Sequence, residues 1–352
     1  MITPPPQVAH RQRRTRRALW VSALGLAAAC SQSVNVPAPS SAVPPATAGR
    51  PAAALLVPAT SSSTAASRLT LNPKEQYGNR YAGGLLPVGD GRYTTTGAKK
   101  GYIYACAGYA QSFGNDRGGA GSRGPWFSAD GTTYDVKQKL HVQGHVLWRA
   151  DFSMSVSGGL RTIVTNDLPK HPTGAFPISS SDPASQFDRN PNMIKGQTLT
   201  YSLSLSPRYG SPSCMGGEVG VMLTGVALFN GFDAGARDAG AWEVQDSCSG
   251  HPQNEGEYHY HTLSSCIHTV SVHSVIGFAL DGFPITGPQV SKGNVLTTRD
   301  LDACHGITSA VSLNGKNVTT YHYVMTQDFP YSVSCFRGTA TAPPGMHAGP
   351  PA

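Results

Sequence analysis

Across residues 69–339 the apolar positions come in short alternating or continuous runs separated by turn residues, and helical spacing is scarce. The runs at 101–106, 140–148, 199–205, 219–229, 270–279 and 319–325 read as strands. Asn314-Gly315 predicts a tight hairpin turn between strands at 310–313 and 317–325. Single helical turns are placed at 206–210 or 234–239. The pattern predicts a mainly β chain: one disulfide-stabilised β-sandwich, or an irregular barrel-like domain, with long loops.

The two ends of the chain lack this pattern. Residues 1–30 hold five arginines (Arg11, Arg13, Arg14, Arg16 and Arg17) and no acid, followed by an apolar run that ends at Cys30. A basic segment, a short apolar run and small residues before a cut site form the layout of an export signal. The run is about 12 residues, against roughly 20 needed to span a bilayer. Ala27-Ala28-Ala29-Cys30 resembles a bacterial lipobox, whose cysteine is lipidated, although Ala27 stands where that pattern prefers Leu, Val or Ile. Thr15-Arg16-Arg17-Ala18-Leu19-Trp20 resembles a twin-arginine signal, with the general secretory route as the alternative. Residues 31–68 are Pro, Ala, Ser and Thr with almost no charge and read as a disordered tether. Residues 340–352 read as a loose tail. The expectation is an exported protein of the bacterial cell envelope, in the periplasm or at the outer membrane, held to the membrane by a lipid on Cys30.

Charge changes once these segments are set aside. The chain has 27 Lys and Arg against 20 Asp and Glu. Seven of the basic residues precede residue 69 and none of the acids does, so the remainder is formally neutral. Nothing electrostatic favours a nucleic-acid partner. Beyond Cys30 lie six cysteines, Cys106, Cys214, Cys248, Cys266, Cys304 and Cys335, with no Cys-x-x-Cys pair. An even count in an exported chain predicts disulfides, and six cysteines allow 15 pairings. Cys248–Cys266 and Cys304–Cys335 would close local loops, and Cys106–Cys214 would bridge the earlier half.

The chemistry concentrates in one stretch. Asp246-Ser247-Cys248-Ser249-Gly250-His251-Pro252 is followed by Gly256-Glu257-Tyr258-His259-Tyr260-His261. On a strand His259 and His261 share one face, with Cβ atoms about 7 Å apart, and Tyr258 and Tyr260 share the other. Two imidazoles so placed can grip one metal ion, and His251 is positioned to add a third nitrogen. Nitrogen ligands suit a transition metal, copper or zinc, over calcium or magnesium. Asp246 or His322 would complete the set. Glu255 and Glu257 are further acids for ligation, for orienting a ligand or for proton transfer. The bland reading of the histidine pair is a hydrogen-bonded structural pair, and that of the tyrosines is core packing.

These residues resemble the signature of the YHYH family. The resemblance rests on Gly250-His251-Pro252 and Tyr258-His259-Tyr260-His261. It extends through the stretches beginning at His273, Leu301 and Phe329, over most of residues 160–340. The family is largely uncharacterised, so the resemblance implies no particular reaction. The sequence departs from the family pattern twice. Thr286 stands where the family usually has Tyr, and Tyr321-His322-Tyr323 runs into Val324 where a second Tyr-His repeat is expected. Around the site, His171 and His273 are candidate rim residues, and Asp281 either caps a turn or reaches the histidines.

Two rival readings stand beside a metal-binding, conceivably enzymatic, envelope protein. One is a non-catalytic surface module that binds glycan or a protein partner, with Trp126, Trp148 and Trp242 as stacking surfaces. The other is a metal-free hydrolase, for which no Gly-x-Ser-x-Gly elbow is found.

Overall fold

Eight strands form the main sheet, in the order Gly250–Pro252, Tyr258–Tyr260, Ala227–Phe229, Glu218–Met222, Val275–Ala279, Pro284–Thr286, Lys316–Val324 and Gly306–Leu313. Two neighbouring pairs are parallel, Tyr258–Tyr260 with Ala227–Phe229 and Pro284–Thr286 with Lys316–Val324. The rest are antiparallel. A second sheet has three antiparallel strands, Phe152–Ser157, Leu160–Thr165 and Leu199–Ser204. This arrangement is a computed structural model that describes residues 84–113 and 121–344. The expected signal, the lipobox cysteine and the tether lie outside the described residues, as does most of the expected tail. Of that tail, Thr341 N donates to Leu280 O.

The two sheets share one apolar core. Ile163, Tyr201 and Leu203 of the smaller sheet pack with Val221, Leu228, Phe278, Ile285 and Tyr323 of the larger. Inward residues alternate along Leu199–Ser204, where Leu199, Tyr201 and Leu203 are buried and Thr200 and Ser202 exposed. The central strand Glu218–Met222 is buried at every position, as befits a strand covered on both faces. Two further polar contacts join the layers: the Arg161 guanidinium lies over the Phe278 ring at 3.7 Å, and Tyr201 Oη donates to Glu218 Oε1 at 2.7 Å. No sheet among the described residues closes on itself, so the barrel alternative is corrected to an open, layered β arrangement.

The expected strands other than 140–148 are present with changed bounds. The 219–229 run is two antiparallel strands joined by a tight turn. The hairpin at Asn314-Gly315 is longer than expected and holds eight cross-strand pairs. Both of its turn residues have positive φ, 52° and 75°, which matches the twist of the strands they join. The 140–148 run makes no strand. Val142 bridges Asp246 and Val146 bridges Thr173 in the opposite sense, so the segment changes partners instead of joining a ladder. No helix forms at 206–210, and the other helical turn lies at Ala239–Trp242, starting where the expected one ends. The disulfides are Cys106–Cys214, Cys248–Cys266 and Cys304–Cys335.

Candidate metal centre

Three histidines reach one point from two neighbouring strands. Gly250–Pro252 pairs with Tyr258–Tyr260 in a register that sets His251 directly opposite His259. His261 follows two positions later on the same face. Their ligating nitrogens all lie within 4.8 Å of one another, and all three residues are buried. The tyrosines turn to the other face. Tyr258 Oη donates to Asp246 Oδ2 at 2.8 Å, and Tyr260 Oη is hydrogen-bonded to His171 Nε2 at 2.5 Å. Gly250 makes room for this arrangement, because a Cβ there would stand 2.3 Å from the Tyr258 ring.

A carboxylate joins the nitrogens. Glu243 follows the helical turn Ala239–Trp242, which Asp238 caps by accepting from Ala241 N. The next residue is pinned, since Val244 N donates to Asp188 Oδ2 at 3.0 Å. Glu243 Oε2 consequently sits 3.1 Å from His251 Nε2 and 3.3 Å from His261 Nε2. The first of these contacts is close but misses hydrogen-bond geometry, and neither Glu243 Oε2 nor His251 Nε2 makes a hydrogen bond elsewhere among the described residues. Atoms aimed at a common centre, rather than at each other, have this geometry. Ligands about 2.0–2.1 Å from a tetrahedral ion stand about 3.3 Å apart.

The ring tautomers sharpen the point. His259 Nδ1 faces the carbonyl of Glu257 at 3.2 Å, and His261 Nδ1 faces the carbonyl of Asn230 at 2.5 Å. A carbonyl oxygen only accepts, so both Nδ1 atoms carry hydrogen. In the neutral rings both Nε2 atoms are then bare lone pairs, and they lie 3.0 Å apart. A proton or a cation between them would relieve the repulsion, and burial acts against the proton. Burial, reinforced by the other two imidazoles, holds His259 well below its ordinary value. Burial likewise lowers His261 to about 4. For His251 burial also acts downward, but the adjacent Glu243 carboxylate outweighs it and the net shift is upward. Burial alone would raise Glu243, yet the imidazoles hold it well below the usual carboxylate range. Phe229 stacks on His259 with ring centroids 4.2 Å apart and fixes its plane.

Glu243 and the three histidines line a cleft of about 1120 Å³, along with Tyr109, Phe229, Phe232, Asn190 and Gln253. A solute entering that cleft meets the four converging groups.

Other sequence-predicted residues lie elsewhere. Asp246 is corrected from ligand to scaffold: its two oxygens accept from Gly174 N, Tyr258 Oη, Cys248 N and Gly250 N. His322 is likewise no ligand of this cluster, since Nδ1 bonds Thr286 Oγ1 and Nε2 bonds Ser309 Oγ. Asp281 caps its turn by accepting from Phe283 N, and it also accepts from Tyr323 Oη. His273 is exposed and bonded to the carbonyl of Ala310. Glu257 contributes its carbonyl to His259, while its carboxylate accepts from Gln253 Nε2. Glu255 is exposed and outside the cluster. His171 also lies near Cys248 and Cys266, but those two sulfurs are bonded to each other and offer no thiolate. The three tryptophans lie apart from the histidine cluster, Trp148 and Trp242 half-buried. Trp126 is buried, and the indole N–H groups of Trp126, Trp148 and Trp242 are spent on Ala241 O, Thr173 Oγ1 and Asp90.

Residues 200–295 match the family model described as YHYH protein. The chain carries a YHYH domain. Glu243, His251, His259 and His261 all fall inside the matched stretch of the YHYH domain, whereas Asn190, His171 and His322 fall outside it. No curated protein and no solved structure matches the chain. Thr286 and Val324 are register partners on adjacent parallel strands, and Val324 lies beyond the matched stretch.

Proposed function

We propose that this protein binds one transition-metal ion, zinc or divalent copper, through Nε2 of His251, His259 and His261, with Glu243 as the fourth ligand. The observation that carries the reading is the pair of bare lone pairs on His259 and His261, 3.0 Å apart in a buried site. Imidazole suits zinc and copper alike, and the absence of sulfur from the set makes monovalent copper the poorer fit. Glu243 decides what the site does. Four protein ligands make a closed shell that stores or carries metal, whereas three with an open position make a shell that can activate water. With Glu243 bound the shell is closed, and its side chain, 14% exposed, is the ligand nearest to being displaced by a solute in the cleft.

The same reading places the domain outside the cytoplasm, tethered to a membrane by a lipid on Cys30. Three disulfides support an oxidising compartment, and the arginine-rich, apolar start supports export. Metal analysis of the full chain, expressed through an export route with copper and zinc supplied, tests the site. About one ion per chain is expected, and none after His259→Ala with His261→Ala. A metal-free wild type under that supply would end the proposal. Palmitate incorporation that survives Cys30→Ser would end the anchor separately.

A further inference from the structure

A second pocket shares the 240–249 stretch with the histidine site but none of its four converging residues. It encloses about 90 Å³. A cavity of about 150 Å³ accepts benzene, so this one has room for roughly four heavy atoms. Its walls are part apolar, from Leu86, Leu140 and Leu263, and part polar, from Lys139, Gln245 and Gln327.

The polar groups do not balance. Gln327 has both its amide nitrogen and its amide oxygen buried without any partner. Each such orphan costs about 1–3 kcal/mol, which calls for a ligand. Lys139 Nζ donates to two neutral oxygens, Gly240 O at 2.5 Å and Gln245 Oε1 at 3.5 Å. An ammonium has three hydrogens to give, so one remains. Burial lowers Lys139 to about 8, with Asp238, Glu243 and Asp188 acting in the other direction through longer-range attraction. Asp188 and Asp238 are not free to close on it, since Asp188 accepts from Asn190 N and Val244 N. Asp238 already accepts from Tyr331 Oη, Ala241 N and Gly89 N. Asp246, on the pocket wall, is filled by the four donors named above.

We infer that the pocket binds a small carboxylate ion of about acetate size. One of its oxygens would accept from Lys139 Nζ and the other from Gln327 Nε2, with the alkyl end against the three leucines. The inference is independent of the metal reading, and its test uses metal-stripped protein to keep the two apart. The full chain is titrated with sodium acetate at constant ionic strength, and the melting temperature is followed. A saturable rise is expected, with acetamide giving none. Lys139→Met and Gln327→Leu should each weaken the response at least tenfold, with circular dichroism confirming that each variant folds, and His259→Ala should leave it intact. Absence of a saturable response, an equal response in both pocket variants, or its loss in His259→Ala would overturn the assignment. A stronger response to inorganic phosphate than to acetate would overturn the carboxylate class.

Discussion

Two strands of the main sheet carry the same alternation, Tyr258-His259-Tyr260 and Tyr321-His322-Tyr323, and both bury it. In each a tyrosine hydroxyl finds a carboxylate, Tyr258 with Asp246 and Tyr323 with Asp281. The histidines meet opposite fates. His259 is faced by His251 on one neighbouring strand, followed by His261, and approached by a carboxylate from a helical turn. His322 is wedged between the hydroxyls of Thr286 and Ser309, one on each neighbouring strand. Both of its nitrogens are satisfied by neutral partners, and burial lowers it to about 4, so it remains a neutral hydrogen-bonding core residue. An alternating Tyr-His strand thus supplies a buried imidazole, and the cross-strand neighbours determine whether it becomes a metal ligand or a structural link.

The comparison breaks most visibly if metal is followed. Zinc at about a thousandfold its dissociation constant stabilises a specific site by about 4 kcal/mol, or about 10 °C in melting temperature for a domain of this size. His259→Ala should abolish that rise and the bound ion together. His322→Ala should lose neither, although it leaves a cavity and removes the ring's bonds to Thr286 Oγ1 and the half-buried Ser309 Oγ, at a cost of about 3 kcal/mol. Melting curves with and without zinc, paired with metal analysis, separate the two outcomes. Loss of the ion in His322→Ala, with the fold intact, would mean that the two strands are not functionally distinct.

Part of this contrast was legible in the chain and part was not. The alternation of residues 258–261 places two imidazoles on one face whatever surrounds them, and His251 was near enough in sequence to be drawn in. The disulfides were equally accessible, because two of the three close local loops. Glu243 was missed although it lies only eight residues before His251. Asp246, Glu255 and Glu257 are closer in sequence, and proximity favoured them, but four donors consume Asp246 and Glu257 turns toward Gln253. Where a carboxylate at the end of one helical turn points depends on the Asp188 contact to Val244 N, which no local pattern encodes. His322 misled for the complementary reason: its strand looks like the signature, and the hydroxyls that neutralise it lie 36 and 13 residues away.

A direct attempt to convert one strand into the other gives a smaller effect. Val324→His restores a Tyr-His-Tyr-His string at the second strand. If the string alone made the site, a second equivalent of metal would bind. Val324 is fully buried against Val272 and Leu301, Thr286 is its register neighbour, and the adjacent His305 already spends its Nε2 on Thr326 Oγ1. The expected result is still one ion per chain, with a loss of about 1–3 kcal/mol from overpacking. Two ions per chain would show that neighbours matter less than alternation.

The smallest effect concerns a proton held by a buried carboxyl of the same sheet. Glu218 begins the strand two places from Tyr258–Tyr260 in the sheet, and burial, with Glu257 adding to it, raises its carboxyl to about 8. An acid whose folded value lies above its unfolded value of about 4.5 costs stability as pH rises through that window, because the unfolded chain gives up the proton first. The penalty is absent below about pH 4.5 and complete above about pH 8. Glu218→Gln removes the titration and keeps an oxygen for Tyr201 Oη, at the cost of burying an amide. Its stability relative to wild type should therefore climb between pH 5 and pH 8 by about 4 kcal/mol, ending about 2 kcal/mol ahead once the pH-independent cost of the buried amide is subtracted, and level off beyond. Urea melts of both proteins at pH 5, 6.5 and 8 measure the slope. A difference that stays flat with pH would mean that Glu218 is ionised at neutral pH and that another cation balances it in the folded chain.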